Sequence, residues 1–203
     1  MDNEERLIQE IVNREWDFFY NTQNIGGQAS CQNDRKTFEI MRKSQWQTCN
    51  KEILDSYLRD LKEAEKEKHN LVTEKYARMM EFTMPEEFEK IKEELPELKS
   101  EKKDIVEKLL GIHLKWREEM NAKYPKISNA GRNLKSSDDT EKDTSVETYL
   151  KGEFLSYSLN TLERYYSYTI KCKEENINLV YENLNNMVKF YGYKSLDDAE
   201  EKV

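Results

Sequence analysis

Residues 100–124 read SEKKDIVEKLLGIHLKWREEMNAKY, with Ile105, Val106, Leu109, Leu110, His113, Trp116 and Met120 falling on one side. Spacings of three and four repeat through the run, which is the period of a helix face and not the alternation of a strand. The predicted helix stops at Tyr124-Pro125, because proline disfavours helical geometry at the residue before it. Upstream, Leu7, Ile8, Ile11, Val12, Trp16 and Phe19 give residues 4–20 the same period. Residues 21–33, NTQNIGGQASCQN, are polar and hold Gly26-Gly27, so they read as a loop. From Asp34, the stripe Phe38, Met41, Trp46, Cys49, Ile53, Tyr57, Leu58, Leu61 predicts one long helix. It crosses a charged stretch at 62–70 and resumes with Leu71, Val72, Tyr76, Met79 and Met80, which predicts a protruding helical arm around 51–80.

Thr83-Met84-Pro85-Glu86 has the spacing of a capping box ahead of a short charged helix that ends near Leu95. Residues 125–144, PKISNAGRNLKSSDDTEKDT, read as loop, mobile over about 126–143. Thr144-Ser145-Val146-Glu147 offers a second capping box, opening a helix with Val146, Tyr149, Leu150, Phe154 and Tyr157. Asn160 or Thr161 is expected to cap the next helix, and Ile177 through Tyr191 marks another. Ser195-Leu196-Asp197-Asp198 begins a last short turn. The expectation is an all-α chain folding over 1–203 as a single compact domain of six to eight helices.

Bulk composition narrows the function. The 203 residues are 36% apolar and 36% charged, and the mean hydropathy of -1.01 is that of a very polar chain. Disorder is nevertheless a poor fit, because 7 Phe, 3 Trp and 12 Tyr accompany a net charge of only -8. No apolar run approaches the ~18 residues of a membrane span. The start, Met1-Asp2-Asn3-Glu4-Glu5, lacks the basic and apolar parts of a signal peptide. Three cysteines without a CxxC pair argue against a disulfide scaffold or a zinc site and fit a reducing cytoplasm. A pI near 5.1 lacks the electrostatic footprint of a nucleic-acid binder.

Familiar catalytic signatures are missing. With two histidines, neither preceded by Glu at the spacing of a di-iron motif, metal chemistry is poorly supported. There is no Walker loop, no dinucleotide fingerprint and no nucleophile elbow, and no cofactor is implied. His113 lies on an apolar stripe and reads as a buried core histidine. Cys31 precedes a predicted helix start, where a thiol pKa can fall, but has no evident histidine partner.

Local charge says more than the total. Residues 121–135 carry Lys123, Lys126, Arg132 and Lys135 with no acid, and residues 21–51 carry Arg35, Lys36, Arg42, Lys43 and Lys51 against Asp34 and Glu39. Each island adjoins a helix start and a glycine-bearing loop, a combination suited to an anion. Polar residues also interrupt apolar stripes. Glu15 falls among Ile11, Val12 and Phe19, Arg42 and Gln45 continue Phe38 and Met41, and Glu153 sits among Tyr149, Leu150 and Tyr157. A buried charge is costly unless paired, so Glu15 or Glu153 either faces Arg42 as a structural pair or lines a polar site.

The strings NIGGQASCQ (24–32), TFEIMRKSQ (37–45), Tyr124-Pro125, Gly131-Arg132 and TSVETYLKGEFLSYS (144–158) together resemble the prokaryotic family called domain of unknown function 4125, over almost the whole chain. The family pattern has Trp where this chain has Cys49, a departure that touches core packing. The family name implies no activity.

Two functions follow as expectations. In the first, the chain binds, and turns over, a small anionic metabolite such as an amino acid or other carboxylate. Gly26, Gly27, Cys31, Arg42, Gln45, Tyr124, Arg132 and Tyr149 line that pocket, with Glu153, then Glu15, as acid or base and Tyr157 as proton relay. The loop over 126–143 acts as its lid. In the second, the chain is a non-catalytic helical interaction or regulatory module whose intruding charges pair in the core. Either is compatible with a homo-oligomer.

Overall fold

Asn50 ends the long helix that the apolar stripe from Asp34 predicts. The computed structural model describes residues 3–23, 27, 29–129 and 131–203. After helix α1 (Asn3–Tyr20) and α2 (Arg35–Trp46), the chain turns at residues 47–50, and the Asn50 side chain accepts from Ile53 N to start α3 (Lys51–Glu67). Lys68 then takes a left-handed conformation at φ 55°, and Asn70 caps α4 (Leu71–Thr83). Asn70 Nδ2 also donates to the Phe18 carbonyl at 2.8 Å, which ties this turn to α1. Residues 51–80 are therefore two helices folded back on α1, not a protruding arm. Ile53, Leu54, Tyr57, Leu58 and Leu61 lie in the main core.

Further breaks raise the number of helices to eleven among the described residues, above the six to eight expected, with no strand. The rest are α5 (Pro85–Ile91), α6 (Ser100–Lys123), α7 (Pro125–Asn129), α8 (Val146–Ser156), α9 (Leu159–Glu174), α10 (Leu179–Phe190) and α11 (Leu196–Lys202). The expected capping box at Thr83 does not form. Met84 occupies the cap position, Pro85 opens α5, and the Thr83 hydroxyl donates back to the Met79 carbonyl. Ser145 caps α8, but Glu147 reaches Ser136 N instead of closing the box. Ser158, not Asn160 or Thr161, caps α9.

The stretch expected as loop at 125–144 contains α7, whose first amides, at Lys126 and Ile127, donate to the Glu200 carboxylate. Its second half is laced to the start of α8. Asn133 and Leu134 carbonyls accept from Val146 and Glu147, and Asp139 accepts from Ser145 N and the Thr148 hydroxyl.

The main core joins α1, α3, α6, α8 and α9 around Ile11, Ile53, Leu61, Leu109, Phe154 and Leu162. Within it Trp46 stacks on Tyr57 at a centroid distance of 4.5 Å, and Tyr157 meets Tyr57 at 4.8 Å with its ring tilted by 58°. Cys49 is buried, and burial pushes its thiol up to about 12. A second cluster joins the end of α6 to α10 and α11. Where α8 crosses α4, a Cβ at Gly152 would lie 2.8 Å from both the Lys75 carbonyl and Met79 Cγ. That crossing admits no side chain, and it holds Lys75 and Glu153 against one another.

His113 on α6 is the core histidine its stripe suggests. It lies edge-on to Trp116 and Phe154 and stacked on Tyr165, and burial pulls its pKa from 6.5 to about 4. Below pH 6.5 the unfolded chain takes up a proton that the folded chain refuses. Stability from this residue is thus complete above that pH and is lost progressively down to about pH 4. The displacement is worth roughly 3 kcal/mol. Urea denaturation over this range should show the loss, and His113→Phe should flatten it. Gly152→Ala should cost about 1–3 kcal/mol by forcing α8 off α4, read from the same urea midpoints.

Candidate functional site

Glu15 of α1, Arg42 of α2, Lys75 of α4 and Glu153 of α8 meet at one point, each 8% exposed or less. Arg42 grips Glu15 with two parallel bonds, Nε to Oε2 at 2.9 Å and Nη2 to Oε1 at 2.5 Å. Its Nη1 donates to Glu153 Oε1 and to Gln45 Oε1, both at 2.8 Å. Gln45 Nε2 and the Tyr157 hydroxyl also donate to Glu153 Oε1, at 2.7 and 2.8 Å, and Lys75 Nζ donates to Oε2 at 2.5 Å. Trp46 Nε1 donates to Glu15 Oε2 at 3.1 Å, and the Arg42 guanidinium lies 5.3 Å from the Trp46 ring centre.

Two carboxylates and two cations balance, so the cluster is internally neutral. Burial alone would push the Glu153 carboxyl up, but the Arg42 and Lys75 charges outweigh it and hold the group well below the usual carboxylate range. Burial opposes the Arg42 charge as well, and Glu15 and Glu153 more than restore it. The Tyr157 phenol is pushed well up by burial and then by the Glu153 charge, which keeps it a donor.

A cavity of about 30 Å³ lies against Glu15, Arg42, Lys75 and Glu153, walled by Phe19, Phe38, Tyr76 and Tyr149. That is room for one or two water-sized groups. The ammonium of Lys75 lies 3.5 Å from the Tyr149 ring centre, and the Arg132 guanidinium lies 5.0 Å from the same ring. Arg132 donates to the Thr144 carbonyl and has no acidic partner among the described residues.

Of the residues singled out by sequence, Glu15, Arg42, Gln45, Glu153 and Tyr157 share one hydrogen-bonded cluster. Tyr149 lines the cavity, and Arg132 lies against that ring without lining the cavity itself. Cys31 is exposed on a 3-10 turn (Ser30–Asn33) and does not line the cavity. Gly27 is exposed at φ +96°, and Gly26 lies outside the described residues. Tyr124 is placed elsewhere: it packs with Leu184 and Leu196, and its hydroxyl donates to Asp197 at 3.0 Å.

Two contributors escaped the sequence reading. Lys75 lies four residues from both Leu71 and Met79, the intrusion that singled out Glu15 and Glu153, so its signal was present. Gln32 is buried and holds the loop to the end of α1, donating to the Phe19 and Thr22 carbonyls at 2.8 Å while accepting from Ala29 N. Nothing in its local sequence distinguishes it from the neighbouring polar residues. Among the described residues no group of three or more His, Cys, Asp or Glu is placed to hold a metal ion.

Removing Arg42 strands two buried carboxylates beside one lysine. Arg42→Met should cost about 3–5 kcal/mol in chemical denaturation, and adding Glu15→Gln should recover part of that by removing a stranded charge. A loss below about 1 kcal/mol is the outcome that would show the cluster to be a minor contributor.

No curated protein and no solved structure matches the chain. The sequence pattern of one family, described as a protein of unknown function (DUF4125), matches residues 5–201. The chain belongs to that family.

Proposed function

We propose that the protein is a helical binder of a small carboxylate-bearing metabolite, held at the mouth of the cavity between Tyr76 and Tyr149. The observation that carries this reading is the approach of Lys75 and Arg132 to the one Tyr149 ring. Lys75 has three N–H donors; one is given to Glu153 and one side of the ammonium meets the ring, leaving donor capacity toward the cavity. Arg132 is exposed and free of any acidic partner among the described residues, so its planar fork is open to a carboxylate. A carboxylate head fits a space of one or two water-sized groups, while the body of the ligand lies outward along the tyrosines.

Binding, and not turnover, is what these contacts favour. Glu153 accepts three donors on Oε1 and Lys75 on Oε2, and it is held ionised. The Tyr157 proton is engaged by the same carboxylate. Neither group is free to exchange a proton with a ligand, so the acid, base and relay roles expected for them are not part of this reading. Three free cysteines suit action in a reducing cytoplasm. A second reading, a surface for a partner protein, draws on the exposure of Phe190 and Tyr191 at the end of α10, 44% and 51%.

Thermal melts with acetate, succinate, glutamate and inorganic phosphate test the proposal. A carboxylate present at about 100 times its Kd should stabilise the protein by about 2.7 kcal/mol, which is roughly 5–10 °C for a chain of this size. Arg132→Ala, an exposed change, should leave the ligand-free melt in place and abolish the rise. A flat response across the panel, or an equal rise in Arg132→Ala, overturns the reading.

A further inference from the structure

Away from this cluster, α6 and the turn joining α9 to α10 enclose a groove of about 500 Å³. We infer that this groove binds a small molecule that joins an oxyanion to an apolar or aromatic body. Its apolar surface comes from Ile112 and Trp116 of α6 and from Ile177 of the turn, a large aliphatic side chain left 38% exposed. Lys108 and Lys115 of α6 and Lys173 of α9 surround that surface. None of the three has an ion-pair partner among the described residues. Of the acids beside them, Glu107 is paired with Lys151 at 3.0 Å, and Glu119 keeps its charge while accepting from Asn178 Nδ2 at 3.3 Å. The groove thus sets three ammonium groups without ion-pair partners against one such carboxylate, over an apolar floor.

Gly111 is an independent pointer to the same place. A glycine in the interior of a helix is destabilising relative to alanine, and α6 runs eleven residues before it and twelve after it. Close packing explains Gly152, but a Cβ at Gly111 would meet no atom within 4 Å. Nothing in the folded chain requires a glycine there. What its missing side chain does leave is open space in the groove, between Lys108 and Lys115 one turn to either side.

The occupant is a small molecule and not a polymer. The size matches ordinary ligand sites, roughly 300–1,000 Å³. A chain of pI near 5.1 repels an extended phosphate backbone, whereas three local lysines neutralise a single oxyanion. This site shares no lining residue with the Tyr149 cavity and does not depend on the carboxylate reading there.

Anilinonaphthalene sulfonate, an aromatic sulfonate that brightens in apolar surroundings, is the probe. The full chain should bind it saturably, and the neutral phenylnaphthylamine that lacks the sulfonate more weakly. Gly111→Leu fills the floor and should weaken dye binding by at least about tenfold while the melting temperature holds or rises. Combined Lys108→Gln, Lys115→Gln and Lys173→Gln, all exposed positions, should weaken the sulfonate to a similar degree and leave the neutral dye unchanged. Arg132→Ala should bind the dye as the unaltered protein does. Absence of saturable binding, or binding indifferent to both the glycine and the lysine variants, overturns the inference. Loss of binding in Arg132→Ala overturns it too, by assigning the dye to the other site.

Discussion

Arg42 stands between two carboxylates that approach from helices more than a hundred residues apart, and most of what this molecule does follows from that placement. A guanidinium removed from water is tolerable only if its donors all find acceptors with good geometry. Here Nε, Nη1 and Nη2 reach Glu15, Glu153 and Gln45. Glu153 still carries unmet acceptor capacity, which Lys75 and Tyr157 fill from two further directions. Satisfying one buried charge therefore fixes the mutual approach of α1, α2, α4 and α8. Apolar burial sets no such register, because greasy faces can slide by a turn at modest cost. The absence of a Cβ at Gly152 is the steric counterpart of this constraint, since Lys75 and Glu153 meet only if α4 and α8 cross closely.

The cluster was partly legible in the sequence. Glu15 and Glu153 betray themselves by occupying apolar positions at helical spacing, and Arg42 is the charge best placed to answer them. Lys75 carries an equal signal between Leu71 and Met79, yet a neighbourhood of charged residues at 62–70 makes the start of α4 look like solvated surface. Helix ends were read less well where the cap is an isolated side chain. Asn50 and Ser158 are single residues whose capping role depends on the backbone turning just before them. The run of apolar residues across Trp46, Cys49 and Ile53 continues at helical period although the chain itself does not. Tyr124 is only eight residues from Arg132, but α7 lies between the two, and Tyr124 packs against α10 and α11 instead.

A neutral, saturated cluster is a strong scaffold and a weak attractor. Once Glu15, Arg42, Lys75 and Glu153 have cancelled one another, little field remains at the cavity to draw a ligand, and the space of about 30 Å³ admits only a small head group. Recognition must then come from charges left over after internal pairing. Arg132, set against the Tyr149 ring, is one, and that contact gives it a fixed bearing without consuming its charge.

Lys108, Lys115 and Lys173 carry such charge to the groove on α6. They show how a chain of net charge -8 can hold an anion. Exposed charges farther apart than about 8–10 Å are largely screened at physiological salt, so the sum over the surface matters little to a bound oxyanion. What it meets is the local balance, and that balance depends on which acids are already engaged. Glu107 and Glu119 stand at the groove, but Glu107 is paired with Lys151, while Glu119 accepts only from the neutral Asn178 amide. With Glu107 answered by Lys151, three lysines face the one remaining carboxylate, Glu119, and the groove is cationic. The same distinction separates the buried cluster, rich in charge but closed, from Arg132 and the three-lysine groove, where charge remains open to a ligand.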